Sequence, residues 1–120
     1  MICKMFSRHW RYVDDLCDLF SIPKSAARDD FIGLVDVAAH FAHRGKVYDL
    51  SDIVTEICRE MKMSKLVYWS RLKRAARPIL EADVSTLRAL GLDVDAAPQT
   101  VPALVRAIVE VVKDDRLYDE

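Results

Sequence analysis

The chain has 120 residues, a formal net charge of −1 and an apolar fraction of 52%, with three glycines and four prolines. This length suits a single domain over residues 1–120, and this composition excludes a disordered or fibrous chain. We expect neither a membrane span nor a secretory signal, because no apolar run approaches the roughly 18 residues of a span and residues 1–15 lack a cleavage site. Three cysteines at unrelated spacings favour reduced thiols in a cytoplasm.

The N-terminal part of the chain predicts two helices from the spacing of its apolar residues. The first helical stripe consists of Trp10, Val13, Leu16, Cys17 and Phe20. Pro23 interrupts the helical pattern after this stripe. The second stripe consists of Phe31, Leu34, Val35, Ala38, Phe41 and Ala42. We expect Gly45 to form the turn that ends the second helix.

Two further helices are predicted in the middle of the chain. Ser51 is a good N-cap for a third helix, and Ser64 is an N-cap candidate for a fourth. Pro78 is expected to end or kink that fourth helix, because proline lacks the backbone N–H that a helix interior uses.

The C-terminal part predicts a short helix and a final helix. The short helix is expected near 83–90, with Gly91 as its C-cap. Thr100 is expected to cap the final helix, which has Pro102 in its first turn. No segment shows sustained period-two alternation, so we expect an all-α domain with five or six helices.

The stretch KMSKLVYWSRLKRAARP, residues 62–78, concentrates positive charge in an otherwise acidic chain. It contains no acid, and its six cations are Lys62, Lys65, Arg71, Lys73, Arg74 and Arg77. On a helix, one face holds Tyr68, Leu72, Ala75 and Ala76, and the opposite side holds Leu66, Ser70, Lys73, Arg74 and Arg77. Two helices joined by a short turn, with a basic outer face on the second, predict a helix-turn-helix over about 52–77. Lys62 occupies a turn position that often needs φ > 0, which costs a lysine about 1 kcal/mol.

A helix-turn-helix with a basic second helix indicates binding to duplex DNA. The predicted recognition helix is 64–77, and its N-terminal residues would point toward base edges in the major groove. The predicted DNA-binding residues are Ser64, Lys65, Trp69, Ser70, Lys73, Arg74 and Arg77. Of these, Arg74 and Arg77 suit phosphates, and Trp69 would pack on the DNA backbone or cover the edge of the core. A solvated cationic face with no ligand is the alternative reading of the same charges.

A longer part of the chain resembles a known family. The segments SIPKSAARDDFIGLVDVAAHF, DIVTEICREMKMSKLVYWSRLKRAARPIL, VSTLRALGLDV and PQTVPALVRAIVEVV are similar to successive helices of one domain. The domain that these segments resemble is the C-terminal DNA-binding effector domain of the sporulation stage-zero response regulator of spore-forming bacteria. The resemblance covers roughly residues 16–114. It implies a six-helix all-α domain, a helix-turn-helix in the major groove and binding as a head-to-tail dimer at tandem sites.

The chain departs from the family pattern at the reading positions. The family has several arginines and a glutamate there, whereas this chain has Val67, Trp69 and Ser70, so a different DNA target is expected. Lys73 and Arg74 match basic family positions and keep the phosphate-binding character. The receiver domain that precedes the effector in the family is absent from this sequence, so we do not expect control by phosphorylation in cis.

The same segments also allow a function other than DNA binding. A helix-turn-helix scaffold that has lost DNA recognition could serve as a protein interaction module, using Leu66, Val67, Trp69 and the valine-rich last helix. In that helix, Val109 and Val111 widen the apolar stripe beyond one face, which indicates either deep burial or a partner surface.

Enzyme chemistry and bound cofactors are not expected. His40 and His43 have a spacing that can hold a metal, with Cys58 as a conceivable third ligand, but this pattern is weak and no metal is predicted. No catalytic triad order, phosphate-binding glycine loop or nucleophile elbow is present, so neither an enzyme nor a small-molecule substrate is predicted. The expected partners are duplex DNA and a second copy of the chain, in the cytoplasm.

Overall fold

A computed structural model describes residues 9–113 except Asp93, and it confirms the all-α prediction. The described residues contain six helices and no strand. The helices are α1 (His9–Leu19), α2 (Ala26–His43), α3 (Leu50–Met61), α4 (Lys65–Leu80), α5 (Val84–Ala89) and α6 (Val101–Val112). None of these helices is both long enough and apolar enough to cross a membrane.

Helix α2 lies at the centre of the domain and packs against α1, α3, α4 and α6. The apolar stripe predicted for α2 is largely buried, and Leu34, Val35 and Ala38 have no exposed surface. Phe41 is the exception, because it lies at the rim of the core with 37% of its surface exposed. Helix α6 covers another side of α2, and its Val109 is fully buried. The widened stripe of α6 therefore reflects burial within this domain at Val109, while Val111 is partly buried against the core.

The helix caps confirm most of the local predictions. Ser64 and Thr100 cap α4 and α6, and each side-chain oxygen accepts a hydrogen bond from a backbone N–H in the first turn. The prediction that Ser51 caps α3 is wrong. Asp49 is the cap, because α3 begins two residues earlier and buries Leu50, and the Asp49 carboxylate accepts a 2.8 Å hydrogen bond from the backbone N–H of Ser51.

The prediction that Pro78 ends or kinks α4 is wrong about the end, since the helix continues to Leu80. Pro78 cannot donate to the carbonyl four residues earlier, but the helix continues past it, with the Glu81 N–H donating a 3.0 Å hydrogen bond to the Arg77 carbonyl. Ile79, immediately after it, is fully buried, and its burial favours keeping this last turn helical. Gly45 and Gly91 adopt positive φ angles of 72° and 97°, as the turns predicted at these positions require.

Two polar contacts join elements that are distant in the chain. The Tyr12 hydroxyl of α1 donates a 3.1 Å hydrogen bond to the carbonyl oxygen of Leu90, which follows α5. Arg28 of α2 is only 2% exposed, and its guanidinium donates to the carboxylates of Asp14 and Asp18 at 2.7 and 2.8 Å. It also donates to the backbone carbonyl of Ile22 at 2.6 Å. These bonds hold α1 and the loop that follows it against the N-terminal end of α2.

Candidate nucleic-acid interface

The helices α3 and α4 are joined by a short turn with a left-handed residue. Lys62 has φ 55° and ψ 46°, so the turn uses the positive φ that the sequence pattern predicted. The turn also satisfies carbonyls at the end of α3, because Met63 N–H donates a 3.0 Å hydrogen bond to the carbonyl of Cys58. Ser64 then starts α4, and its hydroxyl oxygen accepts a 3.2 Å hydrogen bond from the N–H of Val67. The local geometry is therefore that of a helix, a tight turn and a second helix.

The inner face of α4 is fixed to the rest of the domain. Its buried residues are Tyr68, Leu72, Ala75, Ala76 and Ile79. They pack toward α2 and α6, so α4 cannot rotate about its axis without exposing this surface. The orientation of the outer face is determined by this packing.

The outer face of α4 is cationic and solvent-exposed. Ser70, Arg74 and Arg77 lie on it, with Lys73 beside them, and all four are exposed. Within the described part of the chain, no acidic side chain forms an ion pair with Lys73, Arg74 or Arg77. Their charges are thus available to an anionic partner.

Arg71 is different from its neighbours because its charge is used inside the domain. Its guanidinium lies 2.9 Å from the Asp30 carboxylate of α2 and 3.8 Å from the Met63 sulfur. The Arg71 side chain is 23% exposed and that of Asp30 is 11% exposed. Burial raises the pKa of Asp30 above its usual value, although the Arg71 charge opposes this effect. Arg71 therefore connects α4 to α2.

Of the remaining predicted site residues, Trp69 is partly buried, whereas Ser64 and Lys65 are exposed. Trp69 is partly buried against the core, and its ring meets that of Tyr68 edge to face with centroids 6.4 Å apart. Of the two roles predicted for Trp69, the structure supports covering the edge of the core. Lys65, Trp69 and Lys73 follow one another at intervals of four residues, so they lie along one edge of α4. Lys65 and Ser64 are exposed at the start of the helix.

The sequence anticipated the apolar residues Leu66 and Val67 on this surface, but it did not anticipate a groove beside them. Leu66 is 78% exposed and Val67 is 49% exposed, so two aliphatic side chains stand beside the cations. A groove of about 620 Å³ also lies between α4 and the segment that leads into α2. Its α4 side is lined by Val67, Arg71, Arg74 and Pro78, and its other side by Ile22, Pro23, Ser25, Ala26 and Ala27. A groove of this kind forms only when two distant segments pack together, so no local sequence pattern signals it.

In the part of the chain that the structure describes, His40 and His43 belong to no cluster of metal ligands. Among the described residues, the only grouping of carboxylate, imidazole or thiol ligands close enough for a metal is Asp14, Asp15 and Asp18. Asp14 and Asp18 are already bonded to the buried Arg28, which explains why these carboxylates converge. His40, His43 and Cys58 are not brought together, and Cys58 is a buried thiol whose pKa is raised by burial.

Comparisons of the chain with models of known protein families, with curated proteins and with solved structures find no match. The resemblance to the sporulation regulator's effector domain therefore rests on the sequence segments alone.

Proposed function

We propose that this protein is a transcriptional regulator that binds duplex DNA through α4. The observation that carries the proposal is the exposed group of Lys73, Arg74 and Arg77, which pairs with no acid among the described residues, on the outer face of a helix whose inner face is buried. Such a face holds several positive charges in fixed positions along about one turn of helix. Phosphates of a DNA backbone are the common partner of such an arrangement.

The roles of the side chains follow from their positions on α4. Arg74 and Arg77 would neutralise phosphates, while Ser70 and Lys73 would reach base edges or adjacent phosphates in the major groove. Ser64 and Lys65 lie at the N-terminal end of α4, which is the end that usually approaches the bases. Trp69 would act indirectly, because its ring packs against Tyr68 and holds the edge of α4 that carries Lys65 and Lys73 in place. Arg71 is excluded from the contact set because Asp30 holds it.

Three finer parts of the proposal come from the sequence. Kinship with the sporulation regulator's effector domain and binding as a homodimer both follow from the resemblance of the helical segments. A cytoplasmic location follows from the three cysteines, of which Cys17 and Cys58 are free and buried. A non-enzymatic role follows from the lack of a recognisable catalytic motif in the sequence.

The test is a titration of the purified protein against a random pool of fluorescent duplexes, followed by anisotropy at several salt concentrations. Saturable binding is expected, with a slope of log affinity against log salt of about −4 to −5, which corresponds to roughly four to six phosphate contacts. Sequencing of the bound pool should then reveal a preferred site. Absence of binding at low salt, or binding with no enrichment of any sequence, would refute sequence-specific regulation.

A second candidate function is favoured by the exposed Leu66 and Val67. Aliphatic side chains on the outer face of α4 would suit a protein partner, which would make the domain a protein interaction module on the same scaffold. Replacing both residues with serine distinguishes the two functions. If the domain binds DNA, the substitutions should change DNA affinity little, because phosphate contacts dominate that affinity. If the domain binds a protein, the interface would lose its apolar centre and the partner would bind more weakly.

A further inference from the structure

A second groove lies on a different part of the surface, between α2 and α3. Its floor is apolar and is formed by Val37 and Phe41 of α2 with Ile53 and Ile57 of α3. Its volume is about 320 Å³, at the low end of the range for small-molecule sites, and it is open to solvent along its length. Phe41 presents the large exposed apolar surface of this floor, with 37% of the residue accessible. DNA binding through α4 makes no use of it.

One rim of this groove is acidic. Asp52, Glu56 and Glu60 recur every four residues of α3, line the groove and are all exposed. With a rise of 1.5 Å per residue, the three carboxylates extend over about 12 Å, or two helical turns. Arg59 pairs with Glu56 at 2.8 Å, but both side chains are mostly exposed, so this pair neutralises the rim only weakly. The rim would repel DNA phosphates, which excludes DNA as the occupant of the groove.

We propose that this groove binds a cationic amphipathic helix of another protein. Leucine, isoleucine or methionine side chains on one face of that helix would enter the apolar floor, as in other helix-in-groove complexes. Lysine or arginine side chains at intervals of four residues would face Asp52, Glu56 and Glu60, whose own spacing is the same. The charge complementarity and the two-turn length of the rim together specify a basic helix. The binding of such a partner is independent of the DNA-binding face.

The test uses a synthetic helical peptide with leucines at i, i+4 and i+7, flanked by lysines. It is titrated into the full-length ¹⁵N-labelled protein, and amide chemical shifts are followed. Shift changes are expected at Val37, Phe41, Ile53 and Ile57, with a dissociation constant on the order of 10–100 µM at low salt. A peptide of the same charge with its leucines replaced by serine should bind at least tenfold more weakly.

Two matched charge-reversal variants locate the site. Glu56→Lys with Glu60→Lys should weaken peptide binding at least tenfold, because both rim charges become repulsive. Glu81→Lys with Glu110→Lys makes the same change in net charge at exposed residues outside the groove and should weaken binding less than threefold. All four positions are exposed, so both proteins should remain folded, which thermal unfolding checks.

Three results would overturn the proposal. Equal weakening by the two pairs of reversals would mean that net charge alone attracts the peptide. Equal binding of the leucine and serine peptides would mean that the apolar floor plays no part. Sedimentation of the protein alone provides the third result, because a dimer that dissociates in the Glu56→Lys, Glu60→Lys variant would assign the groove to a second copy of this chain.

Discussion

Arg71 and Asp30 form an ion pair across the contact of α4 with α2, with a distance of 2.9 Å between guanidinium nitrogen and carboxylate oxygen. Because Arg71 pairs with Asp30, its charge is used within the fold, unlike the charges of the exposed cations that follow it on α4. A single turn of α4 therefore contains an arginine that stabilises the fold and another, Arg74, that is available to a ligand.

The first prediction compares these two arginines. Arg71→Ala should lower the free energy of unfolding by about 1–2 kcal/mol, since it leaves Asp30 without its partner in a partly buried position. It should not change the salt dependence of DNA binding. Arg74→Ala should leave stability within about 0.5 kcal/mol and reduce the slope of log affinity against log salt by about one. Denaturant unfolding and anisotropy measure the two effects, and the reverse result would show that the ion pair is not maintained in solution.

The second prediction concerns the charge of the outer face. Lys73→Glu with Arg74→Glu should reduce DNA affinity by at least a hundredfold at low salt, because two attractive contacts become repulsive. Lys46→Glu with Arg106→Glu makes the same net change at exposed residues away from α4 and should reduce affinity by less than tenfold. Anisotropy with one duplex at one salt concentration compares them. DNA affinity that survives the first pair of reversals would refute α4 as the recognition helix.

The third prediction concerns the turn before α4. Lys62→Gly should raise the free energy of unfolding by about 0.5–1 kcal/mol, because glycine adopts φ 55° without the steric cost that lysine bears. Lys73→Gly is the matched control, since the same substitution within an exposed helix should lower stability by about 1 kcal/mol. Urea denaturation midpoints with unchanged m-values measure both. Destabilisation by Lys62→Gly would contradict the left-handed turn.

The fourth prediction concerns the thiol of Cys17, which is fully buried and whose pKa burial raises to about 11. At pH 8 about one thousandth of this thiol is ionised, so a disulfide reagent should react with it only after unfolding. The folded state favours the protonated thiol. The stability that this preference contributes is complete below the unfolded pKa of 9 and is lost as the pH rises through the folded pKa of about 11. A Cys3→Ser, Cys58→Ala background leaves Cys17 as the single thiol of the chain. Rapid labelling of folded protein at pH 8 would contradict this burial.

The sequence predicted the helices more successfully than it predicted which charges pair within the fold. Helical spacing identified the buried residues of α2, and capping chemistry identified Ser64 and Thr100, because these signals are local. The burial of Arg28 could not be predicted in this way. Its neighbours in the chain are polar, and its partners Asp14 and Asp18 come from a different helix.

The same limit applies to the candidate interface. The sequence counted Arg71 with the other cations, because its pairing with Asp30 depends on how α4 packs on α2. It could not decide between two roles for Trp69, which the contact with Tyr68 and the core distinguishes. The acidic edge of α3 is visible as a four-residue spacing, yet the apolar groove beside it requires the contact with α2.

The hydrogen bond from Tyr12 to Leu90 joins residues 78 positions apart. Together with the packing of α6 on α2, it means that the two ends of the described chain meet in the folded domain. On the ribosome, a nascent chain that ends before Val101 would present the apolar face of α2 to solvent, because the helix that covers it has not yet been made. The domain must therefore complete its folding after translation of its last helix.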